Sequence, residues 1–347
     1  MVNHRWINLF VLFGAFFSLV CIVSQPASAQ VLYGSIVGVV EDPSGAVVPG
    51  ATLTLTNVAT GIARDIVADD QGRYTAVNMP PGTYTITVTA PGFRTTTRPG
   101  VEVTINNVTR VSIRLEVGQL SDQSVTVTGS AVVLQTDRSD TRAELTSKTV
   151  VELPLVNFRN YQSLINLVPG ATPSVEQNSM GASPQRSLTT NINGTNRNNN
   201  NTRVDGAINV YIWLPHHTLY NPPVEAIDNV NISTSSFDAE QGMAGGAAIT
   251  VATKSGTNEI HGSGYWYHDN QHLYARPYFY KQSEVKPRLP KSITNIPGFT
   301  IGGPIVKNKL FYFFSYERNW LRQGLSGNYS VPPADIRTGD FLSLIHI

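Results

Sequence analysis

Residues 83–89 read Thr-Tyr-Thr-Ile-Thr-Val-Thr, and residues 52–56 read Thr-Leu-Thr-Leu-Thr. A strict period of two puts Tyr84, Ile86 and Val88 on one face of a strand, and Leu53 and Leu55 on one face of another. From Ser35 onward the same pattern recurs as short β-branched runs closed by turn residues. "SIVGVVED" precedes Pro43-Ser44-Gly45, "ATLTLTNV" precedes Ala59-Thr60-Gly61, and "GTYTITVTA" precedes Pro91-Gly92. Strands at turn spacings of about 8–12 residues predict a small β-sandwich that ends near "VTRVSIRLEVG".

The chain has 347 residues, room for two or three domains, and only 14% of them are charged, with a net charge of +1. Such a balance does not mark a nucleic-acid binder or a basic membrane-surface protein. His4 and Arg5 lead an apolar run from Ile7 to Val23, followed by Ala27-Ser28-Ala29. That order predicts a secretory signal over residues 1–29. The single cysteine, Cys21, lies inside the apolar run after Val20, where lipid attachment would want a small residue, so it reads as a hydrophobic side chain. The exported part is expected to hold together by packing and hydrogen bonds, without disulfides.

Gly38, Asp42, Ser44-Gly45-Ala46, Pro49-Gly50-Ala51, Asp70, Gly72, Tyr74, Pro81-Gly82, Tyr84 and Gly92-Phe93 resemble the carboxypeptidase regulatory-like domain over about 85 residues. The resemblance implies a prealbumin-like sandwich, often described as a carbohydrate-binding-like fold, for residues 30–118. Fold alone does not establish sugar binding. A Lys–Asn isopeptide cross-link is excluded, because the first lysine is Lys148. Asp69-Asp70-Gln71-Gly72 lacks the alternating ligands of a calcium loop and reads as a hairpin turn. The seven histidines show no zinc spacing, His216-His217 reads as an exposed loop pair, and no nucleophile-elbow motif occurs. No enzymatic activity, metal or cofactor is expected.

Residues 119–130 form a linker containing Ser124-Val125-Thr126-Val127-Thr128. This segment is open to two readings: a last sandwich strand or simple linker, and an extended peptide resembling a TonB box, which offers a strand edge to a periplasmic partner. Beyond it, a helical reading in two pieces runs through Val151, Leu153 and Leu155, then Tyr161, Leu164, Ile165 and Leu167, and Pro169-Gly170 stops it. An asparagine-rich tract around Asn198, Asn199, Asn200 and Asn201 reads as a mobile loop and supplies the candidate ligand contacts. Asp205-Gly206 marks a hairpin between Val204 and Ile208.

Val224-Glu225-Ala226-Ile227, Ala239-Glu240, Gly242, Gly245-Gly246-Ala247 and the run Ile249 to Gly256 resemble the plug domain of TonB-dependent outer-membrane receptors, assigned here to residues 131–256. Phe237-Asp238-Ala239-Glu240-Gln241-Gly242 departs from the usual consensus and is similar to the Oar-like subgroup, which also carries a regulatory-like sandwich before its plug. Glycine allows the close backbone approach that a packed plug needs.

Residues 257–347 are read as the start of a transmembrane β-barrel. "EIHGSGYWYHDN" alternates Ile260, Gly262, Gly264, Trp266 and His268 against His261, Ser263, Tyr265, Tyr267 and Asp269. Phe299 to Val306 and Leu310 to Trp320 form a hairpin around Lys307-Asn308-Lys309, with the roughly 30 residues before it as an extracellular loop. In the second strand Leu310, Tyr312, Phe314 and Tyr316 share one face, and Phe311, Phe313, Ser315, Glu317 and Asn319 the other. Three strands cannot close a barrel, and open edges in lipid leave backbone groups unpaired. The family barrel has about 22 strands, so the sequence, ending in "FLSLIHI", reads as a fragment.

The expected fold is therefore multidomain and mainly β: a prealbumin-like sandwich, an α+β plug and the first strands of an outer-membrane barrel. The resemblance implies a bacterial outer-membrane receptor with its sandwich in the periplasm. Its partners would be TonB with its inner-membrane energy complex, outer-membrane lipid, and an extracellular ligand such as a siderophore, oligosaccharide or peptide. Nucleic acid is not among them. The alternative is a secreted or surface carbohydrate-binding or adhesion protein in which the sandwich is the working module.

Overall fold

A computed structural model describes residues 33–118, 125–126, 140–155, 159–176, 187–237, 241–242, 244–275, 278, 290–324 and 334–339. The predicted leader with Cys21, and Ser124, Val127 and Thr128 of the coupling segment, lie outside the described residues. No described helix is long and apolar enough to cross a membrane. Two compact units form, one of Met1–Ile260 with Gly302–Phe313 and one of His261–Ile301 with Phe314–Ile347.

The first unit begins with β1 (Gly34–Glu41), β2 (Thr52–Asn57), β3 (Ala63–Val67), β4 (Arg73–Met79), β5 (Gly82–Thr89), β6 (Thr96–Val103), β7 (Val108–Arg110), β8 (Ile113–Arg114) and β9 (Val125–Thr126). One sheet has the order β4-β1-β7, with β8 also on β1, and the other has the order β3-β2-β5-β6-β9. Leu53, Leu55, Ile86 and Val88 are fully buried between them, with Tyr84 beside them, as the alternation requires. The Tyr84 hydroxyl donates to the Pro80 carbonyl at 2.9 Å and pins the turn before its own strand. Asp69 closes the turn between β3 and β4, its carboxylate accepting from the Gln71 and Arg73 amides at 2.9 and 2.8 Å; the expected hairpin is corrected, because the two strands join different sheets and the turn crosses between them.

Gly38 explains its place in the motif. It is paired with Tyr74 across β1 and β4, and a Cβ there would stand 1.9 Å from the Val111 carbonyl oxygen and 2.8 Å from the Tyr74 ring. Only a residue without a side chain lets the aromatic ring lie across the strand.

A middle domain follows with β10 (Thr141–Thr146), α1 (Ser147–Glu152), a 3-10 turn (Tyr161–Leu167), β11 (Val175–Glu176) and β12 (Leu188–Thr189). It continues with β13 (Asn201–Val204), β14 (Ala207–Ile208), β15 (Val210–Tyr211), β16 (Leu214–Thr218), β17 (Ile227–Ser235) and β18 (Ala248–Thr253). The helical reading holds in part: Val151 lies in α1, but Leu153 is its extended C-cap and Leu155 lies beyond it, while the second piece is a 3-10 turn; Thr146 caps α1 and Asn160 caps the 3-10 turn through their side chains. Leu167 departs from the expected face and is exposed. Asp205 and Gly206 both take positive φ, +46° and +82°, and turn β13 into β14 as expected.

The main sheet of this domain runs β10-β17-β18-β13-β14. Its strands put Leu145, Val230, Ile232, Ile249 and Val251 into one core with Tyr161, Leu164 and Ile165. The opposite positions are polar yet buried, among them Asn229, Asn231, Ser233 and Thr250. Part of this polar face meets the turn between β6 and β7. Asn231 donates to the Ile105 carbonyl at 3.1 Å, and Arg142 to the Asn106 carbonyl at 2.8 Å. Arg142 is held by Asp140 at 2.7 Å with both side chains under 10% exposed, and Ser233 donates to the same carboxylate at 3.1 Å. Asn106 sits at φ +51°, which helps aim the turn's carbonyls at the domain below.

The second unit carries β19 (His261–Asn270), most of β20 (Ser292–Val306), part of β21 (Leu310–Glu317) and β22 (Trp320–Gln323). The sheet order is β19-β20-β21, with β22 antiparallel to β20. Two expectations are corrected. The first hairpin strand starts at Ser292 instead of Phe299, which shortens the preceding loop. The second ends at Glu317 and resumes at Trp320, where residues 320–323 pair with 295–292. The break falls at Pro297, whose missing N–H interrupts the ladder, and the Arg318 amide donates to its carbonyl at 3.0 Å.

Alternation survives these shifts. Phe299, Ile301, Phe314 and Tyr316 are exposed, while Ile296 and Thr300 are buried. Phe299 lies 5.8 Å from Phe314 and 5.9 Å from Tyr316 between ring centroids, so the outward face is a continuous aromatic surface. An apolar outward face on strands of this length suits lipid.

Replacing Gly38 by Ala is expected to destabilise the sandwich by about 1–3 kcal/mol, the range for overpacking a filled core. Arg142→Ala leaves Asp140 buried without its cation and is expected to cost about 3–5 kcal/mol. Urea unfolding of the full chain followed by tyrosine and tryptophan fluorescence checks both; an Arg142→Ala midpoint equal to the parent's would mean that the buried pair does not tie the domains.

Candidate functional site

Two places combine backbone or side-chain groups that suit recognition, and they lie on different domains. The first is the edge of the larger sandwich sheet. Val125 and Thr126 pair in parallel with Thr96 and Thr97, so β9 is the terminal strand beside β6. Of the two readings left open for this segment, the strand of the sandwich is therefore realised in its middle two residues. Neighbouring residues of a strand direct their N–H and C=O groups to opposite edges, so half of those of β9 face away from β6.

The local sequence limits that pairing. β6 reads Thr-Thr-Arg-Pro-Gly-Val-Glu-Val, and its register against β5 slips between Tyr84 and Ile86, opposite Pro99 and Gly100. Gly100 takes φ +76°. A bulge with a proline twists the edge and removes a donor.

The second place is the end of the middle domain around the asparagine tract. The predicted contact residues part ways there. Asn196 caps the short 3-10 turn Arg197–Asn199 by accepting from the Asn198 amide at 3.0 Å. The Asn198 side-chain oxygen lies 2.7 Å from His216 Nδ1, and the Asn199 carbonyl accepts from the Gly245 and Gly246 amides at 2.8 and 3.0 Å. Asn200 donates to the Thr190 carbonyl at 2.8 Å and accepts from the Ala247 amide at 3.0 Å. Asn201 is buried in β13 and donates to the Gln241 carbonyl at 2.6 Å. The tract read as a mobile loop is thus built into the sheet, with Asn200 and Asn201 engaged internally and Asn198 and Asn199 at the surface.

The glycine pair has its reason in the same contact. A Cβ on Gly246 would stand 2.5 Å from both Asn200 Oδ1 and Thr195 Oγ1, so the tract and the glycines need each other.

Next to Asn198 stands the β15–β16 hairpin, whose tip Ile212-Trp213 is more than 80% exposed, with Leu214 and Tyr211 exposed beside it. Sequence reasoning passed over this tip. The available signal was a tryptophan and an isoleucine between two short β-branched segments with no apolar partner face. The His216 and His217 rings on the same hairpin lie 4.2 Å apart between centroids, tilted by 48°. Burial lowers the titration of His216 first, and repulsion from His217 and Arg197 lowers it further; His217 is lowered by burial and then by Arg197. Both rings are held toward the neutral form, able to donate and accept hydrogen bonds. Among the described residues no group of three His, Cys, Asp or Glu side chains is placed to hold a metal ion.

Residues 35–116 match the family described as Carboxypeptidase regulatory-like domain, and residues 252–346 match the Outer membrane beta barrel domain family. Over 316 residues, 85% of the chain, the sequence is 25% identical to the TonB-dependent transporter Oar of Myxococcus xanthus, and it spans 28% of that relative's length. Among solved structures, the ferric enterobactin receptor of Pseudomonas aeruginosa aligns at 18% identity over 48% of this chain and 23% of that one, with a TM-score of 0.34. A catechol 1,2-dioxygenase of Acinetobacter radioresistens aligns at 16% identity over 29% of this chain and 57% of that one, with a TM-score of 0.23. Both scores are too low to argue from.

Arg197→Ala removes a neighbouring cation that disfavours the charged imidazoles. The titration midpoints of His216 and His217, followed by NMR, are expected to rise toward the usual histidine value of 6.5. Unchanged midpoints would mean that the guanidinium does not face the pair.

Proposed function

We propose that this chain, a relative of the Oar-type TonB-dependent receptors, serves a transporter that moves a ligand across the bacterial outer membrane with energy from the inner-membrane proton gradient. The observation that carries the reading is the 316-residue similarity to a transporter, which extends over 85% of the chain. The barrel-family match over residues 252–346 and the outward aromatic face at Phe299, Phe314 and Tyr316 support an outer-membrane location. The named relative is a transporter, which agrees with a role in binding and passage and not in catalysis.

In this reading residues 131–256 are the plug, the sandwich faces the periplasm, and Ser124 to Thr128 are the coupling segment that TonB grips. Strand addition works through main-chain hydrogen bonds, which suits the β-branched content of that segment. Ligand contact is assigned to Asn198 and Asn199 at the surface of the asparagine tract, joined by the exposed Trp213 tip and His216. Asn200 and Asn201 support them from inside the domain. The chemistry on offer is an aromatic platform with neutral hydrogen-bonding groups, which leaves siderophore, oligosaccharide and peptide ligands all possible.

The test is fractionation together with crosslinking to TonB. The chain is expected in the outer-membrane fraction, and Val125→Pro with Val127→Pro is expected to cut TonB crosslinking at least tenfold, because proline removes the amides a strand partner needs. Recovery in the soluble fraction would favour the binding-module alternative, and full crosslinking by the double-proline variant would rule out this segment as the coupling site.

A further inference from the structure

Where the sandwich meets the β20–β21 turn, hydrogen bonds fix the gap between them. The Asn258 amide and side-chain nitrogen donate to the Ala59 and Thr60 carbonyls at 3.0 and 2.6 Å, and its side-chain oxygen accepts from the Asn308 amide at 2.8 Å. Gly61 takes φ +69°, and a Cβ there would stand 2.7 Å from the Asn308 side-chain oxygen, so the β2–β3 turn closes on Asn308 only because Gly61 has no side chain. One asparagine thus clamps a sandwich turn to residues 306–309, both within the first unit.

Beside the clamp lies a cavity of about 500 Å³, in the size range of small-ligand sites, and every residue that lines it belongs to the first unit. Leu55, Ile62 and Tyr84 line it from the sandwich, and Phe311 and Phe313 line it from β21. Three cations line it too, Arg64, Lys254 and Lys309, and no carboxylate does. None of the three is in a salt bridge among the described residues. Arg64 is steadied by donating to the Val77 carbonyl at 2.5 Å, and Lys254 by donating to the Glu225 carbonyl at 2.9 Å. An arginine carries five donors and a lysine three, so both keep hydrogens for a bound group. Positive charge without an acidic partner, beside aromatic and aliphatic side chains, is complementary to a ligand with an anionic head and an apolar body.

We propose that this cavity binds a single-chain anionic amphiphile, its carboxylate or phosphate head on Arg64, Lys254 and Lys309 and its chain along Tyr84, Phe311 and Phe313. The guanidinium offers the planar fork that suits either head, and the two ammoniums add point charges. The site is separate from the asparagine tract, since Asn198 and Asn199 do not line it, and it stands or falls independently of the transport reading. Because its walls come from the sandwich and from β21, an occupant also bridges the two and adds to the hold of Asn258.

Photolabelling tests the site. The full chain in amphipol is irradiated with a diazirine-bearing dodecanoate, and the label is mapped by tandem mass spectrometry. Label is expected on residues 78–84 of the sandwich. Dodecanoate and dodecyl phosphate are expected to displace it, while dodecyltrimethylammonium, with the same chain and the opposite charge, does not. Lys309→Glu, at an exposed side chain, is expected to lower that label about tenfold, and Arg64→Gln with Lys254→Gln and Lys309→Gln to lower it as far or further, with label on the exposed Trp266 unchanged. If the triple variant fails to fold, Lys309→Glu decides. Displacement by lysophosphatidylglycerol as well identifies a membrane lipid as one occupant, and its failure restricts the occupant to free amphiphiles; both uphold the site. Equal displacement by the cationic amphiphile, or label on residues 78–84 indifferent to Lys309→Glu, would overturn the proposal, because apolar partitioning alone would then explain the labelling.

Discussion

The Arg142 guanidinium is the contact on which the arrangement of the first unit depends. It bonds Asp140 at 2.7 Å on one side and the Asn106 carbonyl at 2.8 Å on the other, in a site where both charged side chains are almost fully buried. A buried cation is tolerable only when its donors are used, and here a carboxylate and a turn carbonyl both use them. The consequence is that two domains with separate apolar cores share one polar joint. Asn231 and Ser233 extend that joint along β17, which is why this strand keeps polar residues on its buried face opposite Val230 and Ile232.

That joint gives the sandwich a mechanical address. Its core is complete on its own terms, closed by Tyr74 over Gly38 and by Tyr84 against Pro80. What attaches it to the middle domain is the turn between β6 and β7, and β6 is also the strand that carries Val125 and Thr126. The sandwich edge strand and the middle domain are thus connected through β6 and the turn that follows it. At the end of the middle domain the asparagine tract, the glycine pair and the His216 hairpin are joined by hydrogen bonds in a similar way, which ties the hairpin to the sheet that holds β13 and β18.

Local patterns announced much of this. Alternation in residues 52–56 and 83–89 placed the sandwich core correctly, Asp205-Gly206 turned where expected, and the outward face of the barrel strands followed from their period of two. The departures have physical causes that a period does not register. Pro297 splits the pairing partner of β20 because it lacks an amide hydrogen. Asparagine at four consecutive positions resembles low complexity, yet the side chains of Asn198, Asn200 and Asn201 each find a different ring or backbone partner, and the Asn199 carbonyl takes the Gly245 and Gly246 amides.

By itself the sequence determined the inward faces of the sandwich strands and the outward face of the last hairpin, because side-chain alternation and turn chemistry act between near neighbours. Tertiary structure alone decided which edge of the sandwich receives Val125 and Thr126, which asparagines are consumed internally, and how Arg142 meets Asn106. Those outcomes depend on where a sheet edge or an unused carbonyl stands in space, and pairs such as Thr97 with Thr126, or Arg142 with Asn106 36 positions away, carry no local pattern that says so.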